Sequence, residues 1–262
     1  MTRTLCFTVD VDRDVNDRIP GRAEAVSLNS GTARFDSSEK GSNIILDLLD
    51  ETGIKATFFA EARTLSVIDA ALGSNEVAMH GLDHEDMTGE VSGIRLSERE
   101  LSEIMRRSSD IIKDRTGKVP KGFRAPYMRT DERIMKVLSE QNIAYDSSSY
   151  AETAKFLYPY DIGAGMKEVP VPEGRDRNGK KIAAYLWPMH EGKRKPEDYI
   201  EMADTMEDGI FVIATHSWHI VESRSDGKMD VNEIKKNAEN VRTILTALLD
   251  KGFKAVRMID AV

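Results

Sequence analysis

The chain has 262 residues, 31% of them charged, and a formal net charge of −8. That length is enough to bury a sizeable core, and the acidic surplus argues against a surface that binds nucleic acid. The single cysteine, Cys6, excludes an internal disulfide, and because it lies inside an apolar run we expect it to be packed in the core.

The N-terminal segment begins with a short apolar run rather than a targeting sequence. It has no basic region followed by a long apolar segment, and no apolar run elsewhere reaches about 18 residues. We therefore predict neither a signal peptide nor a membrane span, no membrane partner, and a cytoplasmic location. Residues 4–11 are apolar and β-rich, which predicts a buried strand.

Strands and amphipathic helices alternate through the first half of the chain. Further strands are predicted at 54–60 and 76–79, and helices after the capping pair Ser42-Asn43, around 62–72 and at 97–116. Ser97 and Glu100 form a capping box, and Gly117 ends the last of these helices. Residues 13–41 are predicted to form a polar loop, and a connection of that length is typical of a functional loop.

The second half continues the alternation after one irregular segment. It predicts short strands at 122–127 and 143–146, a helix at 131–141, an irregular segment at 151–196 with β-like runs at 167–171 and 182–186, helices at 195–206 and 231–249, and strands at 209–214 and 253–256. This alternation indicates a mostly parallel sheet, and about eight such units favour a barrel over an open sheet. Since no linker divides the chain, we expect one catalytic domain over residues 1–262.

Polar residues stand where the predicted strands end: Asp10, Asp12, His80, Arg124, Asp146 and His216. In a parallel barrel, functional groups gather at the carboxyl ends of the strands. His84 follows His80 by one helical turn or one compact loop, so both imidazoles can reach one cation.

Two histidines and one carboxylate form a ligand set for a catalytic divalent metal that leaves positions open for water and substrate. Asp10 and Asp12 point to the same side of a regular strand. One of them can bind the metal while the other takes a proton from water, and the spacing leaves open which does which.

Five segments resemble, in order, the motifs of the polysaccharide deacetylases, also called NodB-homology or carbohydrate esterase family 4 proteins. They are TVDVD at 8–12, HGLDH at 80–84, RAPY at 124–127, DSS at 146–148 and THSW at 215–218. The commonest family pattern has adjacent aspartates, whereas Val11 intervenes here. The Asp-x-Asp motif resembles a subgroup that includes peptidoglycan-deacetylase-like and cyclic-imide or ureide amidohydrolase-like members.

The resemblance implies a distorted (β/α) barrel of the NodB-homology type and a metal-dependent hydrolase that removes an acetyl group, usually from an N-acetylated sugar. It also implies a role for each matching residue: Asp10 as general base, Asp12, His80 and His84 as metal ligands, Arg124 orienting the base, His216 as general acid held protonated by Asp146, Tyr127 supplying a backbone N–H to the oxyanion site, and Trp218 lining the acetyl pocket.

The metal and the substrate stay open at this stage. Zinc suits two histidines and an aspartate, and Co, Ni, Mn or Fe would also fit. We expect a small-molecule or saccharide substrate, and the sequence leaves homo-oligomer formation open. The alternatives to a deacetylase are a ring-opening amidohydrolase that acts on a cyclic imide or ureide and a non-catalytic carbohydrate-binding protein.

Three further aromatic side chains lie outside these roles. His190 and His219 match no motif, so we expect neither to bind the metal. Trp187 next to Pro188 is interpreted as a core residue in preference to a platform for sugar stacking.

Overall fold

The protein is described by a computed structural model that covers residues 2–153 and 156–262. Its strands are β1 Arg3–Val11, β2 Asn16–Asp17, β3 Val26–Ser27, β4 Thr57–Ala60, β5 Glu76–Met79, β6 Gly122–Phe123, β7 Tyr145–Asp146, β8 Tyr150–Glu152, β9 Phe156–Leu157, β10 Tyr160–Gly163, β11 Met166–Glu168, β12 Val171–Arg175, β13 Lys181–Ala183, β14 Asp208–His216, β15 Glu222–Ser223, β16 Gly227–Lys228 and β17 Lys254–Ala255. Its α-helices are α1 Asp36–Thr52, α2 Ala62–Val67, α3 Glu98–Thr116, α4 Glu132–Glu140, α5 Trp187–His190, α6 Pro196–Asp204 and α7 Val231–Asp250.

The main sheet confirms the predicted parallel architecture. Its order is β10-β11-β7-β6-β5-β4-β1-β14-β9, with β17 pairing with β1, and within the described residues only the β10–β11 pair is antiparallel. The sheet curls into a distorted (β/α) barrel. Strands β1 and β14 are its longest strands, and most of their side chains are fully buried, including Cys6 as expected.

Helix α1 begins earlier than predicted, at Asp36 rather than after Ser42-Asn43. The N-cap residue, Phe35, offers no side-chain hydrogen bond to this helix. Instead, the Asp14 carboxylate accepts hydrogen bonds from the Ser37 and Ser38 amides at 3.1 and 2.8 Å. A carboxylate at a helix N-terminus satisfies free N–H groups and interacts well with the helix dipole. Asp14 lies 22 residues before Asp36, the first residue of α1, so the local sequence could not indicate this cap.

Helix α3 agrees with its prediction. The Ser97 hydroxyl accepts from the Glu100 amide, the Glu100 carboxylate accepts from the Ser97 amide, and Gly117 ends the helix in the left-handed conformation. Local signals were sufficient here because both ends are determined by neighbouring residues.

The irregular segment is built mainly from short strands, followed by the short helix α5. The predicted run at 167–171 is divided between β11 and β12, and the run at 182–186 becomes β13 followed by a single bridge between Tyr185 and Ala214. The segment thereby lies beside β14, and Tyr185 reaches the carboxyl end of the barrel. None of the described helices is long and apolar enough to cross a membrane.

Gly41 packs helix α1 directly against the segment that follows His216. A Cβ built on Gly41 would lie 1.9 Å from the Ser217 carbonyl oxygen. Within a helix, replacing glycine by alanine ordinarily stabilises by about 1 kcal/mol. We predict the opposite sign for Gly41→Ala, a loss of about 1–3 kcal/mol in the free energy of unfolding from overpacking.

Urea denaturation measures this change, and Lys40→Ala, an exposed position of the same helix, is the control. A Gly41→Ala protein that is more stable than the wild type would show that α1 does not pack against Ser217 in this way.

Candidate metal centre and active site

Strand register brings the predicted polar residues together at one end of the barrel. Asp10 on β1 is the register partner of His216 on β14. Met79 and Phe123 are partners at the ends of β5 and β6, so His80 and Arg124 follow side by side. These are the carboxyl ends of parallel strands, as the sequence predicted.

Asp12, His80 and His84 form a buried group that could hold a metal ion. One ligand atom from each lies within 4.8 Å of the other two. The His80 ring is oriented by a 2.8 Å hydrogen bond from Nδ1 to the Arg124 carbonyl, which leaves Nε2 available to bind a metal ion. His84 is in the left-handed conformation, with φ of 51°, in a compact loop rather than a helix.

The polar atoms of this group fit a cation. Asp12 Oδ1 and His84 Nδ1 are buried and have no hydrogen-bond partner among the described residues. Asp12 Oδ2 lies 3.2 Å from His84 Nε2 and accepts a hydrogen bond from the side-chain amide (Nδ2) of Asn16. Burial raises the pKa of Asp12 well above its usual value, although the nearby His80 opposes that rise. A bound cation would favour the ionised carboxylate and neutral imidazoles.

The Asp10 carboxylate has different partners from Asp12, and its pKa is shifted in the opposite direction. Its Oδ1 accepts a 2.8 Å hydrogen bond from Arg124 Nη1, within a fully buried ion pair. Burial raises the pKa of Asp10, but the charges of Arg124, His80 and His216 outweigh it, and the pKa lies below its usual value. Asp10 is therefore an ionised carboxylate beside the metal group.

Tyr185 was not identified from the sequence, although it contacts two of the predicted residues. Its hydroxyl donates to Asp10 Oδ2 and lies 3.2 Å from His216 Nε2. Asn16, which bonds Asp12, was also missed. Tyr185 belongs to the irregular segment, and the only signal for Asn16 was the length of its loop, so neither ended a recognisable strand.

Asp146 has different partners from those expected. Its carboxylate accepts a 2.6 Å hydrogen bond from Ser148, and the Ser148 hydroxyl in turn accepts from the Ala125 amide at 2.8 Å. Burial and the adjacent Glu168 carboxyl raise the pKa of Asp146 well above its usual value. Asp146 thus braces the segment that carries Arg124 and is not the partner of His216.

The His216 ring is accordingly in an environment that the resemblance did not imply. Burial lowers its pKa well below the usual value, and the charge that opposes this shift is that of Asp10. The Asp146 carboxyl is engaged with Ser148, and its raised pKa favours the neutral form, so the role of Asp146 in holding His216 protonated stays a prediction.

Trp218 and Trp187 exchange the positions that the sequence suggested. Trp218 is fully buried and stacks behind His216, with ring centroids 5.1 Å apart. Trp187 is half-buried, packs edge-on against His216 at 5.4 Å and lines the cavity. The expected pocket residue therefore supports His216 from behind, while the expected core residue contacts the cavity.

His190 and His219 lie outside the group formed by Asp12, His80 and His84. His219 Nε2 pairs with Glu191 at 2.8 Å, and His190 Nε2 lies 3.0 Å from the Thr215 hydroxyl. Both are buried behind Trp218, so they support the aromatic layer under His216.

A cavity of about 330 Å³ opens above these residues. Its floor contains Asp10, His80, His84 and His216, and its wall is largely aromatic and apolar, formed by Tyr127, Met128, Tyr150, Tyr185, Trp187 and Pro188. Polar groups converge at the base of an apolar pocket, which is the usual composition of a small-ligand site.

Tyr127 is held in the cavity wall in a conformation that side chains rarely adopt, with φ of 62°. Its ring packs edge-on against His84 at 4.6 Å, and the Arg18 guanidinium lies 4.2 Å above the ring centroid. A strained backbone that is fixed by surrounding contacts is typical of functional sites. It directs the Tyr127 segment towards the metal group.

A buried ion-pair network joins the chain segments that carry Asp12 and His84. The Arg13 amide donates to Glu61 at 2.8 Å, and the Arg13 guanidinium pairs with Glu61 and, at 2.9 Å, with Asp83. Since Arg13 follows Asp12 and Asp83 precedes His84, the Arg13–Asp83 pair fixes Asp12 and His84 relative to one another.

In a comparison with protein families, residues 32–145 match the polysaccharide deacetylase model. These residues include the paired histidines and the Arg124 segment, and they end one residue before Asp146.

Two curated relatives are similar over part of the chain. The peptidoglycan deacetylase-like protein FGM2 of Gibberella zeae is 28% identical over 200 residues, which cover 69% of this chain and 56% of the relative. The peptidoglycan deacetylase of Helicobacter pylori is 25% identical over 117 residues, which cover 43% of this chain and 38% of the relative. The chain therefore spans little more than half of the first relative and less of the second.

The fold extends further than the sequence similarity. The crystal structure of the allantoinase Puue aligns with a TM-score of 0.64 at 18% identity, covering 98% of this chain and 88% of that chain. At that identity the likeness establishes the shared distorted barrel.

The Arg13–Glu61 pair generates a stability prediction. Glu61→Ala would leave the Arg13 charge buried beside a single partner, so we expect a loss of about 3–5 kcal/mol in the free energy of unfolding. Arg63→Ala is the matched control, because Arg63 pairs with the same Asp83 while its side chain is 53% exposed, and such pairs contribute about 0–1 kcal/mol. Urea titration of both variants measures the two losses in the free energy of unfolding. Equal losses would contradict the prediction that the buried pair contributes more than the exposed one.

Proposed function

We propose that this chain, whose residues 32–145 match the polysaccharide deacetylase model, is a member of that family and a metal-dependent hydrolase that removes an acetyl group from an N-acetylated sugar or a related amide. The observation that carries the proposal is the buried group of Asp12, His80 and His84 beside Asp10 and His216 at the base of one cavity. A base, an acid and a ligand set are the parts that metal-assisted amide hydrolysis requires.

Asp12, His80 and His84 are the proposed ligands of one divalent ion, for which zinc is the leading candidate and Co, Ni, Mn or Fe the alternatives. When bound, the ion would supply Lewis acidity to the amide carbonyl and lower the pKa of water. Asn16 and the Arg124 carbonyl would orient the Asp12 and His80 side chains, as outer hydrogen-bond partners commonly do for ligands.

Asp10 is the proposed general base. Its ionised carboxylate is held by Arg124 on one oxygen and by Tyr185 on the other. Asp12 follows two residues later, directly after the end of β1, so Asp10 lies next to the place where water would attack.

His216 is the proposed general acid that protonates the departing nitrogen. Its ring is fixed between Tyr185, Trp187 and Trp218, with centroid distances of 5.0, 5.4 and 5.1 Å. The Tyr127 backbone N–H is the proposed donor to the developing oxyanion, and the left-handed turn at Tyr127 supports that orientation.

The substrate is proposed to sit with its acetyl group at the polar base and its ring against the aromatic wall. Trp187 and Tyr150 offer flat faces of the kind on which sugar rings stack. A cavity of about 330 Å³ also admits a small heterocycle, so ring opening of a cyclic imide or ureide is the second candidate.

Hydrolysis of a substrate panel tests the proposal. The zinc-loaded protein is incubated with N-acetyl sugars, cyclic imides and ureides, and released acetate and opened rings are quantified. Acetate release from an N-acetyl sugar supports the deacetylase, whereas ring opening alone supports the second candidate. Sugar binding without any turnover would contradict both and support a non-catalytic carbohydrate-binding protein.

The ligand assignment makes a prediction about metal content. His80→Ala or His84→Ala removes one of three protein ligands, so the metal and the activity should both be lost. His190→Ala, a buried histidine outside the group, should retain the metal. Elemental analysis after dialysis measures occupancy, and full occupancy in either ligand variant would contradict the assignment.

The two aspartates should respond differently to the same substitution. Asp10→Asn should retain the metal and lose about 10²–10⁴-fold in turnover, the usual range for a lost general base. Asp12→Asn should weaken metal binding. Metal titration together with turnover distinguishes them, and the reverse pattern would exchange their roles.

A further inference from the structure

Tyr185 is held in the cavity by backbone contacts on both sides. The Leu186 amide donates to the Ala214 carbonyl, and the Ala214 amide donates to the Ala184 carbonyl, each at 2.8 Å. The Tyr199 hydroxyl donates to the Tyr185 carbonyl at 3.3 Å. Tyr185 is therefore attached to the strand that ends in His216, and its side chain has little freedom to leave the site.

The Tyr185 hydroxyl connects the proposed base to the proposed acid. It donates to Asp10 Oδ2 and lies 3.2 Å from His216 Nε2. Arg124 occupies the other oxygen of the Asp10 carboxylate, at 2.8 Å. A side chain that only fixed Asp10 would need one donor, whereas this hydroxyl also reaches the imidazole and can accept a proton as it donates its own.

We propose that Tyr185 is a proton relay that carries the proton taken up by Asp10 to His216 Nε2, from which it passes to the leaving nitrogen. This inference rests on the proposed hydrolase function. It makes the base and the acid two ends of one hydrogen-bonded chain, so the proton released by water need not exchange with solvent before the amine departs.

The relay conserves atoms and charge. As water forms the new C–O bond, its proton goes to Asp10 Oδ2. The His216 imidazole is neutral at this point, with its proton on Nδ1, so Nε2 can accept. Asp10 then donates its proton to the Tyr185 oxygen, while the Tyr185 O–H turns from Asp10 to His216 Nε2 and transfers its own proton there. When the C–N bond breaks, its electron pair remains on nitrogen, and His216 donates the proton there. Asp10, Tyr185 and His216 all return to their starting states.

Tyr185→Phe tests the relay because it keeps the ring and removes the hydroxyl. With an N-acetylated amine substrate, we expect kcat to fall about 10²-fold. With an aryl acetate, whose leaving group needs little proton assistance, we expect a fall of less than about tenfold. KM and metal content should be unchanged. Tyr199→Phe removes the 3.3 Å contact to the Tyr185 carbonyl but keeps the two 2.8 Å backbone hydrogen bonds to Ala214, so it should change neither rate more than about twofold.

Nitrogen-15 NMR of the zinc-loaded protein supplies a readout that does not depend on turnover. The Nε2 resonance of His216, assigned by its loss in His216→Gln, should shift in Tyr185→Phe and stay in place in Tyr199→Phe. A merely structural tyrosine would lower amide and ester rates equally and leave this resonance unchanged, and either result would overturn the relay. A wild-type protein without turnover on any substrate would instead overturn the proposed function, and the relay with it.

Discussion

The site depends on one buried charge, the guanidinium of Arg124. The guanidinium pairs with Asp10 at 2.8 Å, donates to the Ser147 carbonyl at 3.1 Å and lies 4.1 Å from the Phe59 ring centroid. The backbone carbonyl of Arg124 accepts a 2.8 Å hydrogen bond from His80 Nδ1. Burying an unpaired guanidinium would cost several kcal/mol, so these partners must be in place together. Arg124 thereby links the ends of β1, β4, β5 and β7, and with them the base and one proposed ligand.

Behind this link, the site has a rigid support on each side. Glu61 and Arg13 hold the two segments that flank the metal group. On the opposite side, Trp218 stacks behind His216 over a layer of buried histidines. The residues that contact the cavity are therefore fixed by a second layer, as groups that must keep a reactive geometry require.

The sequence was most informative where function follows from local rules. Residues at the ends of parallel strands must meet at one edge, so the positions of Asp10, His80 and His216 followed from strand prediction alone. Contacts across the irregular segment could not be predicted in this way. Tyr185 reaches Asp10 through a single bridge to β14, and Asp146 turns to Ser148 instead of to His216. Both outcomes depend on tertiary packing, for which spacing along the chain gives no signal.

The central claim is that Asp12, His80 and His84 bind one catalytic metal ion. Anomalous diffraction from zinc-loaded crystals, recorded above and below the zinc edge, tests it most directly. The account predicts a single strong anomalous peak within bonding distance of these three side chains, next to the Asp10 carboxylate. A peak at another position, or no peak in crystals whose protein hydrolyses its substrate, would contradict it.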